Sequence, residues 1–200
     1  HLVTGDLNDR ASLRRSTAGK TAIFHLAGKI KGRTRQDFFE TNWKGTRTLL
    51  QAASSNRNTV RRFVYVSSLA AAGPSPDGEP IREGAEPRPV SYYGESKLAG
   101  EEETRRFSRS FPVTVVRPAA VYGPRDFETL RLIKLGARGI RITPDPKGNF
   151  FSAVHAADAA EAIRLAGELP PEKVNELYFI SDGIIYNWEE VFSILSDILG

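Results

Sequence analysis

Tyr93 and Lys97 stand four residues apart in Ser91-Tyr92-Tyr93-Gly94-Glu95-Ser96-Lys97, a helix-forming stretch. On a helix such a pair shares one face, with Cβ atoms about 5–6 Å apart. A free phenol has a pKa of about 10 and is a poor base at neutral pH. An ammonium ~4–5 Å away favours the phenolate by roughly 3–4 kcal/mol at an effective dielectric near 20. That is on the order of two to three pKa units. The spacing therefore predicts a phenol tuned to exchange a proton with a hydroxyl or carbonyl oxygen. Such chemistry also needs a donor to hold that oxygen. Ser68, at the end of the preceding strand, is the candidate, with its neighbour Ser67 second. An isolated Tyr-x-x-x-Lys is ordinarily a surface helix pair, so the assignment rests on what surrounds it.

Short apolar runs rich in β-branched and aromatic residues alternate with helical patterns. Leu2-Val3, Ala22–Leu26, Phe63–Val66, Val113–Val116 and Leu177–Ile180 read as strands. Helical spacing or good helix formers occupy about 10–18, 35–56, 91–109, 126–137, 156–167 and 187–199. Fully apolar runs suit strands buried on both faces, and strand–helix alternation predicts an α/β fold, a doubly wound parallel sheet. Gly73–Pro89 holds five prolines and three glycines and reads as a surface excursion; Gly139–Asn149 reads as a lead into a smaller lobe. The expected division falls at 138/139, with a smaller lobe over 139–200 interleaved with the sheet. In open α/β sheets ligands bind beyond the carboxyl ends of the strands. Here those ends read Gly5-Asp6-Leu7, Ala27-Gly28, Ser67-Ser68 and Arg117-Pro118.

Composition narrows the classes. The 200 residues are 40% hydrophobic and 26% charged, too apolar for a disordered chain, and no apolar run approaches a membrane span. With zero cysteines these residues offer no disulfide, thiolate metal site or cysteine nucleophile. Their absence fits a reducing compartment, and a cytoplasmic location is expected. Net charge is +4, and thirteen basic residues between Arg10 and Arg62 face only Asp37 and Glu40. This excess reads as solvated helix surfaces in preference to a polyanion-binding face, because no aromatic interleaving or nucleic-acid module accompanies it. No nucleic-acid or membrane partner is expected. His25 reads as a satisfied core residue, His155 and Asp158 as helix-start residues, and no metal site is expected.

Seven segments, in order, resemble the extended short-chain dehydrogenase/reductase family, the NAD-dependent epimerase/dehydratase group. They are Gly5-Asp6-Leu7, Phe24–Gly28, Asn42–Thr46, Tyr65–Ser68, Tyr93–Lys97, Arg117–Pro124 and Val154–Asp158. The resemblance implies a Rossmann-like fold, NAD or NADP as cofactor and a small-molecule substrate. Tyr93 would be the acid/base, Lys97 would lower its pKa and bind the nicotinamide ribose, and Ser68 would hold the reacting oxygen. Asp6 and Leu7 would contact the adenine, and Ala27 and Gly28 would pass close to the adenosine side. Pro118 and Val121 would border the nicotinamide. Asn42 would brace backbone next to the cofactor. The helices at 35–56 and 91–109 resemble the pair that forms the family's dimer bundle, which implies a homodimer.

The chain also departs from that pattern. The family's opening Gly-x-x-Gly-x-x-Gly turn, which lets backbone meet a pyrophosphate, is not seen after Val3-Thr4-Gly5. The first βαβ unit is therefore expected to precede His1, and the piece as given is expected to bind a dinucleotide weakly. The residue that selects NAD over NADP would lie there too. Asn149-Phe150-Phe151-Ser152 stands where nucleotide-sugar enzymes of the family commonly carry Arg-Asp-Phe, which tilts the reading toward a reductase or hydroxysteroid-dehydrogenase-like enzyme. Lys29-Ile30-Lys31-Gly32-Arg33 reads as a solvated loop more readily than as an anion receiver. The rival readings are a nucleotide-sugar epimerase or dehydratase, and a dinucleotide-binding sensor or scaffold without turnover.

Overall fold

The chain was examined as a computed structural model that describes residues 2–138, 140 and 150–199. The expected 139–149 connection, including the Arg141–Asn149 stretch, lies outside the described residues apart from Ile140.

Two compact units result, and each is built on its own sheet. The first comprises His1–Arg117 with Ala162–Phe179, the second Pro118–Glu161 with Ile180–Gly200. This division differs from the expected boundary at 138/139, because the chain leaves the first unit at the end of a strand and re-enters it within a helix.

The first unit opens with α1 (Arg10–Thr17), capped by the Asp9 carboxylate, which accepts from the Ala11 and Ser12 amides. Then come β1 (Ala22–His25), α2 (Arg35–Phe39), a π-helical turn over Glu40–Gly45 and α3 (Thr46–Ser54). Strand β2 (Arg62–Val66) is followed by a 3₁₀ turn at Leu69–Ala71, α4 (Tyr92–Arg106) and β3 (Val113–Pro118). Thr34 and Asp37 form a reciprocal capping box at α2, and Ser91 caps α4 through the Gly94 amide. These caps satisfy amides that a helix start leaves without partners.

The β1–β2 and β2–β3 pairs are parallel, with Phe24 beside Val64 and Val64 beside Thr114. The sheet order is β1-β2-β3-β6, where β6 is Leu177–Ile180. Every residue of β3 is buried, as expected for a central strand. Strand β1 is not: as an edge strand among the described residues it leaves Phe24 39% exposed. Leu2-Val3 is not a strand either. An extended run becomes one only by pairing with a neighbour, and both side chains stand exposed. The core gathers Leu13 from α1, Leu49, Leu50, Ala52 and Ala53 from α3, and Phe63, Tyr65, Val113 and Val115 from the sheet. Phe63 stacks on Phe111 at 5.8 Å. Each such large side chain contributes about 1.5–3 kcal/mol on full burial.

The proline-rich excursion is tied down at its base. Gly73 has φ +83°, and a Cβ there would collide with the Arg88 carbonyl. The Arg88 amide meanwhile donates to Ala72 O at 2.7 Å. Further along, Glu83 accepts from the Phe179 amide at 3.1 Å.

The second unit carries β4 (Ala120–Tyr122), α5 (Phe127–Gly136), β5 (Phe150–His155), the start of α6 (Ala156–Ala166), β7 (Ile185–Asn187) and α7 (Trp188–Leu199). Strand β5 pairs parallel with β4 and antiparallel with β7. These three strands were not foreseen. Two are only three residues long, and β5 interrupts its apolar run with Ser152. Phe151 stacks on Trp188 at 4.7 Å and Tyr186 at 5.7 Å, forming this unit's aromatic core. Among the described residues no helix is long and apolar enough to cross a membrane.

Candidate active site

The inward face of α4 is polar. Its buried residues are Gly94, Ser96, Lys97, Gly100, Glu101, Glu103 and Thr104. Tyr93, Lys97 and Glu101 follow one another at i, i+4 and i+8, which places them on one stripe. That stripe lies against the carboxyl ends of β1 and β2. Close approach is possible because Gly100 has no side chain: a Cβ there would run into the Tyr65 hydroxyl and the Asn42 carbonyl.

Lys97 is 4% exposed and donates from Nζ to Val66 O at 2.7 Å, with Nζ 4.6 Å from the Tyr65 ring centroid. Burial lowers its pKa to about 8, and the Glu101 carboxylate acts in the opposite direction. Tyr93 is half-buried, its ring edge-on to Phe38 at 6.2 Å. Burial raises the phenol's pKa, and the Ser68 side chain acts in the opposite direction. The spacing argument predicted a phenol depressed by the lysine, and the direction here is the reverse. Loss of water around the phenol outweighs the stabilisation of its anion, and the ammonium is aimed at a backbone carbonyl.

Ser68 is half-buried and caps the 3₁₀ turn by accepting from the Ala70 amide at 3.2 Å. Ser67 turns inward and donates to Glu101 Oε1 at 2.5 Å. The two adjacent hydroxyls thus separate: Ser67 bonds Glu101, and Ser68 takes the Ala70 amide. Glu101 also accepts a bidentate pair from Arg117, Nε at 2.8 Å and Nη2 at 2.7 Å. Sequence reasoning assigned no role to Glu101 or Arg117. Their signal was a carboxylate at helical spacing from Lys97 and an arginine inside an apolar strand.

Asn42, in the π-helical turn and 1% exposed, braces the backbone beyond β1. Its Oδ1 accepts from the Lys29 amide at 2.7 Å, and its Nδ2 donates to Lys29 O and to Ser96 Oγ, each at 2.9 Å. Ala27 and Gly28 are exposed at the strand end. A Cβ at Gly28 would lie 3.1 Å from Asn42 Oδ1 and 3.6 Å from Lys97 Nζ.

The remaining expected contacts are placed as follows. The Asp6 carboxylate accepts from the Asn8 amide at 2.7 Å, in a turn. Leu7 packs over Gly45 and against the core. Pro118 is buried at the end of β3, and Val121 on β4 is 46% exposed; both belong to the second unit. Lys29 pairs with Asp37 at 3.5 Å on the surface. His25 is 3% exposed and bonded to Thr46, and His155 Nδ1 accepts from the Ala157 amide at 3.3 Å.

A family model described as the NAD dependent epimerase/dehydratase family matches residues 1–180. Ceramide reductase of Caulobacter vibrioides is 34% identical over 200 residues, which is 100% of this chain and 56% of that protein. dTDP-glucose 4,6-dehydratase of Streptomyces griseus is 33% identical over 214 residues, 98% of this chain and 61% of the relative. The crystal structure of the dTDP-glucose 4,6-dehydratase DesIV from Streptomyces venezuelae with NAD bound superposes with a TM-score of 0.86 at 29% identity, covering 99% of this chain and 63% of that one. The chain therefore spans 56–61% of the length of these two curated relatives. With the family model matched from the first residue through β6, the chain belongs to the NAD-dependent epimerase/dehydratase family.

Proposed function

We propose that this chain carries the acid/base half of an NAD(P)-dependent oxidoreductase that reduces a carbonyl, or oxidises the matching alcohol, on a small molecule. The observation that carries the reading is a half-buried phenol one helical turn from a buried ammonium that is bonded to the end of β2. Lys97, Ala27 and Gly28 would hold the cofactor, with Asn42 bracing the strand end. A bound nicotinamide supplies or accepts the hydride.

A phenol with a raised pKa rests protonated at neutral pH, so Tyr93 starts as the acid. In reduction, Ser68 donates a hydrogen bond to the substrate carbonyl oxygen while the carbonyl carbon gains the hydride. Tyr93 gives its proton to that oxygen, so the carbonyl becomes an alcohol and Tyr93 a phenolate. The Lys97 ammonium stabilises this phenolate until water returns the proton. Oxidation is the same sequence reversed.

Similarity along the whole chain to a ceramide reductase supports the reductase reading. Similarity to dTDP-glucose 4,6-dehydratase favours a second one, a nucleotide-sugar epimerase or dehydratase using the same residues. Tyr93→Phe in the natural protein tests both. General acid–base catalysis contributes typically about 10²–10⁴-fold, so turnover should fall by that factor while cofactor binding persists. Unchanged turnover would remove the mechanism. Ketone and sugar-nucleotide substrates assayed side by side separate the two readings. A homodimer through residues 35–56 and 91–109 belongs to the same proposal, and a monomer in light scattering at micromolar concentration would refute it.

A further inference from the structure

Glu101 is fully buried, yet a buried ion pair is weak grounds for stability, since desolvation offsets the attraction. Its contacts suggest another use. Through Ser67 Oγ it grips the residue between two elements of the site: the Val66 carbonyl that receives Lys97, and Ser68, the candidate donor to substrate. The bidentate Arg117 guanidinium fixes the carboxylate itself, and Arg105 reaches it from the solvent side at 3.8 Å.

We propose that Glu101 is a positioning residue that clamps the β2 end through Ser67 and serves as the counter-charge keeping Lys97 an ammonium. The proposal rests on the acid/base reading of Tyr93. The charged and titratable groups around Lys97 are Glu101 on α4, His25 on β1 and Tyr65 on β2; Tyr93 precedes it by one helical turn, and Arg117 on β3 faces Glu101. Burial already favours the neutral amine, and Glu101 opposes it. Removing the carboxylate's charge therefore moves loss of the Lys97 proton to lower pH.

The test is the ¹³Cε titration of Lys97 in the natural protein, assigned by comparison with Lys97→Arg. In Glu101→Gln the midpoint should fall by on the order of one pH unit. The high-pH limb of turnover should move with it, and KM should stay near its natural value. Glu101→Asp keeps the charge on a shorter arm, so it should lower thermal stability but leave the Lys97 midpoint close to the natural one. Should Glu101→Gln fail to fold, because Arg117 is left buried without an anion, Glu101→Gln/Arg117→Met removes both charges and should shift the midpoint the same way. An unmoved midpoint in the folded variant overturns the proposal, whatever happens to turnover. A shifted midpoint in a protein whose Tyr93→Phe variant keeps full turnover upholds the charge coupling and refutes the acid/base reading instead.

Discussion

His25 lies beneath the candidate site and makes its stability pH-dependent in a calculable way. Its Nε2 is 2.8 Å from Thr46 Oγ1, and that hydroxyl donates its single proton to Asn42 O at 2.7 Å. Nε2 must therefore carry the hydrogen in this pair, which makes the ring a neutral Nε2–H tautomer. Burial lowers the histidine pKa from 6.5 to about 3, with the Lys97 charge acting in the same direction. Below pH 6.5 the unfolded chain takes up a proton that the folded chain refuses until about pH 3. The contribution is therefore fully present above the unfolded value and is lost as pH falls from 6.5 toward 3. Between about pH 7.5 and about pH 5 the loss is about 2 kcal/mol. His25→Gln keeps an N–H donor for Thr46 and cannot titrate. Urea unfolding of both proteins at both pH values isolates the effect, because the cost of the substitution itself cancels in the pH difference. The natural protein should lose about 2 kcal/mol more than His25→Gln over this interval. Equal losses, or a folded-state His25 ring that titrates near 6.5 by NMR, would refute the account.

Asn42→Ala deprives the Lys29 amide and carbonyl and the Ser96 hydroxyl of buried partners; at about 1–3 kcal/mol for a group left unsatisfied, a clear fall in the thermal midpoint is expected, with weaker dinucleotide binding by calorimetry. Gly100→Ala places a Cβ against the Tyr65 hydroxyl and the Asn42 carbonyl. Overpacking of this kind costs about 1–3 kcal/mol, and the helix should move off β2, so the variant should lose turnover by more than its loss of folded fraction in circular dichroism explains.

All six helices foreseen from spacing are present, several of them behind a recognisable cap. Asp9 before α1 and Ser91 before α4 are examples. The four sheet strands of the first unit were equally readable, since Phe63–Val66 and Val113–Val116 are runs of β-branched and aromatic residues. The second unit's sheet was not, because a three-residue strand such as Ile185–Asn187 has no period to detect. At the candidate site, Tyr93, Lys97 and Ser68 were singled out from spacing and strand-end position, and Asn42 from the family resemblance. The structure places Lys97 and Asn42 beside Gly28. The sign of the Tyr93 shift was missed because a spacing argument counts a neighbouring charge but not the water removed. Glu101 and Arg117 were missed because hydrophobic patterning treats buried charges as surface ones.

The stripe Tyr93–Lys97–Glu101 has a direction. Tyr93 is half-buried, Lys97 4% exposed and Glu101 0% exposed, so polarity persists while access to solvent disappears along two turns of one helix. A group that exchanges a proton with substrate must be reachable, and Tyr93 is at the reachable end. A group that only fixes charge does better in a low dielectric, where a counter-ion acts strongly and cannot be screened by salt. Lys97 and Glu101 occupy that end. Such a face offers little hydrophobic stabilisation, and each unpartnered polar atom would be costly. Among the described residues no buried side-chain nitrogen or oxygen lacks a hydrogen-bond partner. These bonds tie the stripe to the end of β2 and to β3. The same pairing explains why substitutions deep in the stripe should change the pH at which the phenol works, whereas substitution at its outer end should abolish the proton transfer itself.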